Sequence, residues 1–338
     1  MFFASDNGAP VHPNVFAAME RANAGYALSY GNDAATEALR DRIRTLFEAP
    51  QAEVLLLTTG TAANALALSL LTPPWATTFC HRHAHIAEDE CGAPEFFSGG
   101  AKLTLIDGAH GKITPEALAH SIAQTGGSVH VAQRGALSLT NVTEAGTLYT
   151  ADELRALAQV AKAHHLPVHL DGARFANALA ATGASPADLS WRAGVDVLSL
   201  GGTKNGLLAA EAVVLFNPAL AWEAALRRKR AGHLNSKLRY VAAQFDAWFT
   251  DDLWLHMAQH ANQMAARLAT GLADVAGVEI QHPIHANIVF ARLPAATHAR
   301  AKAAGAVYYQ SDETLCRLVA SWSTTAADVD ALLAAFRG

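Results

Sequence analysis

The chain has 338 residues, 51% hydrophobic and 16% charged, which excludes a disordered chain and fits about two domains with a well-buried core. A formal charge of −5, from 25 Lys and Arg against 30 Asp and Glu, gives no electrostatic reason to expect nucleic acid or an anionic membrane as partner. Three cysteines, Cys80, Cys91 and Cys316, without a CxxC spacing argue against a disulfide framework or a zinc site and for a reducing cytoplasm. MFFASDNGAP at the amino end has neither the basic nor the apolar region of a signal peptide, and the apolar stretch around Ala65 to Leu71 is too short to span a bilayer, so a soluble protein is expected.

In chain order, Leu39, Ile43, Leu46 and Phe47 mark one face of an amphipathic helix over 36–48, stopped by Pro50. Glu53 to Thr58 reads as a buried strand, Thr59 to Thr61 as a turn, and Ala62 onward as an Ala- and Leu-rich helix. A strand over 102–106 and a helix over 114–122, with Pro115 in its first turn, follow. Thr150 and Glu153 form a capping box that opens a helix over 151–164. The strand PVHLDGAR ends at Asp171, and a second apolar strand over 195–200 delivers Lys204 just beyond its end. Strand, helix, strand at this spacing predicts a largely parallel sheet covered on both faces. Beyond Lys237 a helical region over 238–272, with a break near Asp251 and Asp252, leads to three short strands and a terminal helix over 326–336. The expected organisation is an arm over 1–20, a large α/β domain over 21–237 and a small α+β domain over 238–338.

Only seven residues are lysine, and one of them, Lys204, lies in the apolar run VDVLSLGGTKNGLLAAEAVVLF. Burial there favours the neutral amine, which forms Schiff bases, although a loop lysine can also simply reach solvent. Asp171 ends the neighbouring strand, so in a parallel sheet both side chains emerge at the carboxyl edge, where α/β sites are built. A carboxylate opposite a Schiff-base lysine suits pyridoxal phosphate, because it keeps the pyridine nitrogen protonated and the ring an electron sink. The plain alternative is that Asp171 caps a strand end. In TTGTAAN, Gly60 and Thr61 lie between a strand and a helix start, where backbone amides can receive a phosphate. Arg174 adds a fixed cation three residues after Asp171.

SDN near the amino end, TTGTAAN, HAHIAEDECGAPE, HLDGARFANALA and LSLGGTKNG, in this order, resemble the threonine aldolase group of fold-type-I pyridoxal phosphate enzymes, related to the β-eliminating lyases. The resemblance covers most of the chain and implies a fold-type-I, mostly parallel large domain with a small α+β domain. It implies Lys204 as the lysine bonded to pyridoxal 5'-phosphate, Asp171 at the pyridine nitrogen, and Gly60, Thr61 and Thr203 at the phosphate. It also implies His85 against the cofactor ring and as acceptor of the substrate hydroxyl proton, with Ser5, Arg174 and Arg317 on the substrate carboxylate. Arg suits that last task because its planar fork binds carboxylates bidentately, although Arg317 can also be read as an exposed strand residue.

The implied reaction cleaves threonine, allo-threonine and related β-hydroxy-α-amino acids such as phenylserine to glycine and an aldehyde. A homo-oligomer, dimer or tetramer, is implied too, with Tyr30 or Lys237 contributing across the interface. A serine hydroxymethyltransferase-like, β-eliminating or transaminating activity on the same fold is the nearest alternative. A metal-dependent hydrolase is a more distant one, since His81, His83 and His85 of HRHAH would share one face of a strand. One departure stands out. Some members of the group carry a second histidine in the segment LTNVTEAGT, where this chain has Thr143 and Glu144, and a threonine hydroxyl is no base near neutral pH.

Overall fold

The computed structural model describes residues 1–338. Eleven strands form two sheets: β1 (Glu53–Leu57), β2 (Ala76–His81), β3 (Lys102–Ile106), β4 (Gln133–Thr140), β5 (Val168–Gly172), β6 (Val197–Gly201), β7 (Glu211–Leu215), β8 (Glu279–Ile280), β9 (Ile288–Arg292), β10 (Tyr309–Gln310) and β11 (Leu315–Val319). The large sheet has the order β1-β7-β6-β5-β4-β2-β3, and its six-to-three side is parallel throughout. Only β7 runs against its neighbours β6 and β1. Strands β2, β5, β6 and β7 are buried along their whole length, as expected for a sheet covered on both faces.

Several elements fall where the sequence places them. The helix Ala34–Leu46, the capping box of Thr150 and Glu153 on the helix Ala151–Ala163, and the break between the helices Leu238–Phe249 and Leu253–Leu272 are all present. The turn at 59–61 is shorter than expected, because the helix Gly60–Leu71 begins at Gly60 with Thr59 as its cap. Strand β2, with the run Ala-Thr-Thr-Phe-Cys-His, carries no apolar alternation to reveal it. In β2 the threonines satisfy their hydroxyls sideways, Thr77 with Thr104 at 2.8 Å and Thr78 with Thr72 at 2.8 Å. Gly135 of β4 is required by close approach, since a Cβ there would lie 2.7 Å from the Thr77 carbonyl oxygen.

The small sheet is antiparallel, in the order β10-β11-β9-β8, and the first residues of the chain join it. Phe3 donates its amide to Val307 (2.7 Å) and accepts from Val319 (2.8 Å), and its ring is fully buried in the second core. Residues 1–3 are therefore part of the small sheet's layer rather than a free arm. Apolar packing also crosses residue 237. Leu238 through Ala258 contribute to the core of the large sheet, with Trp248 and Trp254 fully buried there, and Ala265, Leu268 and Leu272 contribute to the core of the small one. No helix is long and apolar enough to cross a membrane.

Candidate active site

Lys204 sits in residues 202–210, which join β6 to β7, and this segment is held from all sides. Gly202 donates to Ala210 O at 3.1 Å, His12 to Gly206 O at 2.9 Å, and the indole of Trp248 to Asn205 O at 2.9 Å. Gln244 accepts the amides of Leu208 and Ala209, and the Asn205 side chain donates to Trp254 O. Gly206 turns the chain at φ +87°, a conformation that favours glycine. The half-buried Lys204 amine faces carboxylates. Burial pushes the Glu211 carboxyl up to about 7, against the Thr203 amide at 3.3 Å and the Lys204 charge.

Asp171 is buried at the end of β5, paired in register with Ser199 of β6, so it and Lys204 share the carboxyl edge. Its Oδ1 accepts from the Ala173 amide at 3.0 Å and its Oδ2 from Asn64 Nδ2 at 2.9 Å. The same Asn64 nitrogen donates to Glu90 Oε1 at 2.9 Å, and Glu90 Oε1 also meets His85 Nδ1 at 2.9 Å. One hydrogen-bonded chain thus joins Asp171, Asn64, Glu90 and His85. Behind it His169 bridges Ser138 and Ser199, and burial holds its imidazole down to about 4, hence neutral.

The helix Gly60–Leu71 begins at the same edge. Thr59 caps it by accepting from the Ala62 amide, while the amides of Gly60 and Thr61 donate to no group of the protein. A Cβ on Gly60 would meet nothing within 4 Å, so open space lies over those two donors. The Thr203 hydroxyl accepts from the Ala210 amide at 3.3 Å and lies against the Glu211 carboxyl.

Arg174 follows β5 and is buried against Asp6, which accepts from its Nε at 2.7 Å and from one Nη at 2.9 Å. Asn287 at the start of β9 adds a third donor to Asp6 at 3.0 Å. Burial alone would raise the Asp6 carboxyl, but the charge and hydrogen bonds of Arg174, aided by Lys204 and Asn287, hold it below the ordinary carboxylate range. The remaining Nη of Arg174 makes no hydrogen bond within the chain. Ser5 precedes Asp6 in the chain, and its Oγ accepts from the Asn7 amide. Arg317 lies on β11, its guanidinium 5.2 Å from the Tyr309 ring centre and its buried Nε without a partner. The end of β11 reaches the same cluster, because Asn287 Nδ2 bonds both Ala320 O and Asp6.

The histidine strand does not form. β2 ends at His81, whose ring takes Gly108 O and the His83 amide, while His83 pairs with Glu88 and His85 opens a short helix and pairs with Glu90. The three rings thus face different partners, and the shared face that a metal reading requires is absent. Thr143 is buried, with its hydroxyl on Thr147. Glu144 stands close enough for its charge to act on both His85 and Arg174. Sequence reasoning passes over Asp6, Asn64, Glu90 and Glu211. The signals were modest: Asp6, Asn64 and Glu90 stand inside SDN, TTGTAAN and HAHIAEDECGAPE, and Glu211 is a lone acid in an apolar strand.

A model of the beta-eliminating lyase family matches residues 3–295, and the chain belongs to that family. The match extends over the fold-type-I core described above. Among its relatives, a low specificity L-threonine aldolase from Pseudomonas aeruginosa is 44% identical over 323 residues, covering 95% of this chain and 93% of that one. A second aldolase of that name, from another Pseudomonas strain, is 42% identical across 99% of this chain and 96% of its own length. Among solved structures, a threonine aldolase of Leishmania major superposes with a TM-score of 0.92 at 29% identity, covering 99% and 98% of the two chains. A serine palmitoyltransferase from Sphingomonas wittichii shares the fold alone, at a TM-score of 0.73 and 15% identity over 100% of this chain and 86% of that one.

The residues present fit pyridoxal phosphate. The edge offers an amine, a buried carboxylate and two unpartnered amides at a helix start with open space above them.

Proposed function

We propose that this chain is a pyridoxal-phosphate-dependent lyase that cleaves L-threonine, L-allo-threonine and related β-hydroxy-α-amino acids to glycine and an aldehyde. The observation that carries the reading is the convergence of Lys204, Asp171 and the Gly60–Thr61 amides at one sheet edge, in a chain 44% identical to a named aldolase. When bound, the cofactor ring receives the electron pair released as the Cα–Cβ bond breaks.

The chain supplies everything else. Lys204 would hold pyridoxal phosphate through its side-chain amine. Asp171, fixed by Ala173 and Asn64, keeps a negative charge beside the ring nitrogen. Gly60, Thr61 and the Thr203 hydroxyl take the phosphate. Ser5, the free Nη of Arg174 and the Nε of Arg317 would hold the substrate carboxylate and so orient the Cα–Cβ bond that is to break. His85 would pack against the cofactor and take the β-hydroxyl proton on Nε2, a task Thr143 cannot perform because a threonine hydroxyl is no base near neutral pH and here is turned to Thr147. Free Cys91 at the surface and buried thiols at Cys80 and Cys316 suit a reducing cytoplasm. Exposed Phe96, Trp222 and Leu226 suit a homo-oligomer, dimer or tetramer, with Tyr30 and Lys237 near a neighbouring site.

The test is threonine turnover by the cofactor-loaded protein, with glycine and acetaldehyde quantified separately. The expected result is equimolar glycine and acetaldehyde, a visible absorption band that shifts on adding glycine, and loss of both in Lys204→Ala. Pyruvate and ammonia from serine without glycine from threonine, or turnover surviving in Lys204→Ala, would overturn the reading.

A further inference from the structure

The side chain of Glu90 is completely buried, yet only one of its oxygens is used. Oε1 accepts from Asn64 and meets His85 Nδ1, while Oε2 and the Asn64 Oδ1 have no partner. A buried carboxylate so incompletely satisfied is costly and calls for a reason other than stability. The chemistry of the contacts supplies one. Asn64 must turn its amide nitrogen toward Glu90 and Asp171, since its oxygen would face two carboxylates, and its two N–H groups serve one each. An ionised Glu90 has no proton to donate, so the 2.9 Å contact requires the proton to sit on His85 Nδ1. In the neutral ring Nε2 then carries the lone pair, and the imidazole is about one quarter exposed, at 27%.

We propose that Glu90 is a positioning residue that fixes His85 in the Nδ1–H tautomer and, through the Asn64 amide, ties that ring to Asp171. This rests on His85 as the group that takes the substrate hydroxyl proton. In that step the O–H bond breaks as an Nε2–H bond forms, the Nδ1 proton stays on the ring, and Glu90 remains a carboxylate stabilising the resulting imidazolium. The local chain is shaped for the contact. The short helix His85–Glu88 closes with Asp89 donating to His85 O at 2.9 Å, and Glu90 follows it directly. The Glu90 hydrogen bond raises the His85 pKa against the burial that lowers it. Glu144 and Asp171 act in the same direction as Glu90, and Lys204 opposes them. Glu90 itself is pushed up by burial and by Asp171, and His85 and Asn64 pull it back.

The experiment is nitrogen-15 NMR of histidine-labelled holoenzyme, with the His85 ring identified by its loss in His85→Gln, alongside the pH profile of kcat for threonine. The neutral wild-type ring should be protonated at Nδ1. A glutamine can present either its oxygen or its nitrogen to Nδ1, so Glu90→Gln should mix the tautomers and lower the ring pKa. It should also move the acid limb of kcat to lower pH and reduce kcat about tenfold to a hundredfold, with KM within about twofold. An Nε2-protonated ring in the wild type, or unchanged ring shifts and acid limb in Glu90→Gln, would overturn the proposal. If Glu90→Gln fails to fold, the wild-type tautomer alone decides. Absence of glycine from threonine in the wild type would instead remove the aldolase reading, and the ring shifts would still report on the Glu90 contact.

Discussion

Replacing Asp6 by alanine should unfold the protein at a markedly lower temperature. Asp6 and Arg174 are 1% and 4% exposed and are joined by two hydrogen bonds at 2.7 and 2.9 Å, with Asn287 completing the carboxylate at 3.0 Å. Asp6→Ala strands a buried guanidinium without a counter-charge, which costs about 3–5 kcal/mol. For a chain of 338 residues, an unfolding entropy of about 2.1 cal/mol/K per residue gives a loss of roughly 4–7 °C in Tm. Differential scanning calorimetry at neutral pH reads this directly. Removing the arginine as well, in Asp6→Ala with Arg174→Met, should recover much of the loss, because the cost lies in the orphaned charge. The pH dependence has a definite sign. The folded carboxyl is held below its unfolded value of about 3.9, so the contribution of Asp6 is complete above that pH and disappears as pH falls through the folded value. The wild type should therefore lose more Tm on acidification below about pH 4 than Asp6→Ala does. A single-variant loss below about 1 °C, or a double variant no better than the single, would refute the reasoning.

Three other outcomes follow from the site. Gly60→Ala should leave the Tm of the cofactor-free protein within about 1 °C, because the methyl meets no protein atom within 4 Å, yet weaken pyridoxal phosphate binding about tenfold in a fluorescence titration; unchanged affinity would remove this turn from the phosphate site. Glu211→Gln should flatten the pH dependence of Tm. The folded carboxyl titrates at about 7 against about 4.3 unfolded, so the wild type loses on the order of 3 kcal/mol as pH rises between those values, and an unflattened profile would show that Glu211 is not the source. Arg317→Lys should raise KM for threonine about tenfold or more with a smaller change in kcat, and unaltered kinetics would place Arg317 outside the site.

The large sheet was legible where its apolar runs are continuous: β1, β5 and β6 read directly, and with them the shared edge that carries Asp171 and Lys204. Strand β2 was not, since Thr77 and Thr78 are buried there by hydroxyl contacts to Thr104 of β3 and to Thr72, a compensation that exists only once neighbours are in place. The same limit applied to the site. A lysine in apolar company and a DG at a strand end announce themselves, whereas Asn64 acquires its role only from Glu90 and Asp171, and Asp6 from an arginine 168 residues away. The histidine alternation misled because periodicity assumes an extended chain, and the chain leaves β2 at His81.

The reversed direction of β7 has a mechanical consequence for Lys204. In a parallel crossover the residue after a strand leads into a helix that can slide or tilt on the sheet. Here residues 202–210 are anchored at both ends in the same ladder, Gly201 opposite Glu211 and Gly202 bonded to Ala210. The backbone of Lys204 is consequently a fixed post, and whatever travel the amine needs during turnover comes from the torsions of its own four-carbon stem. If Lys204 holds the cofactor as proposed, occupancy and integrity of the β6–β7 ladder are mechanically one event. Loading the protein with pyridoxal phosphate should then slow amide exchange along β6 and β7 well beyond the residues it touches, because opening of that ladder would displace the lysine that holds it.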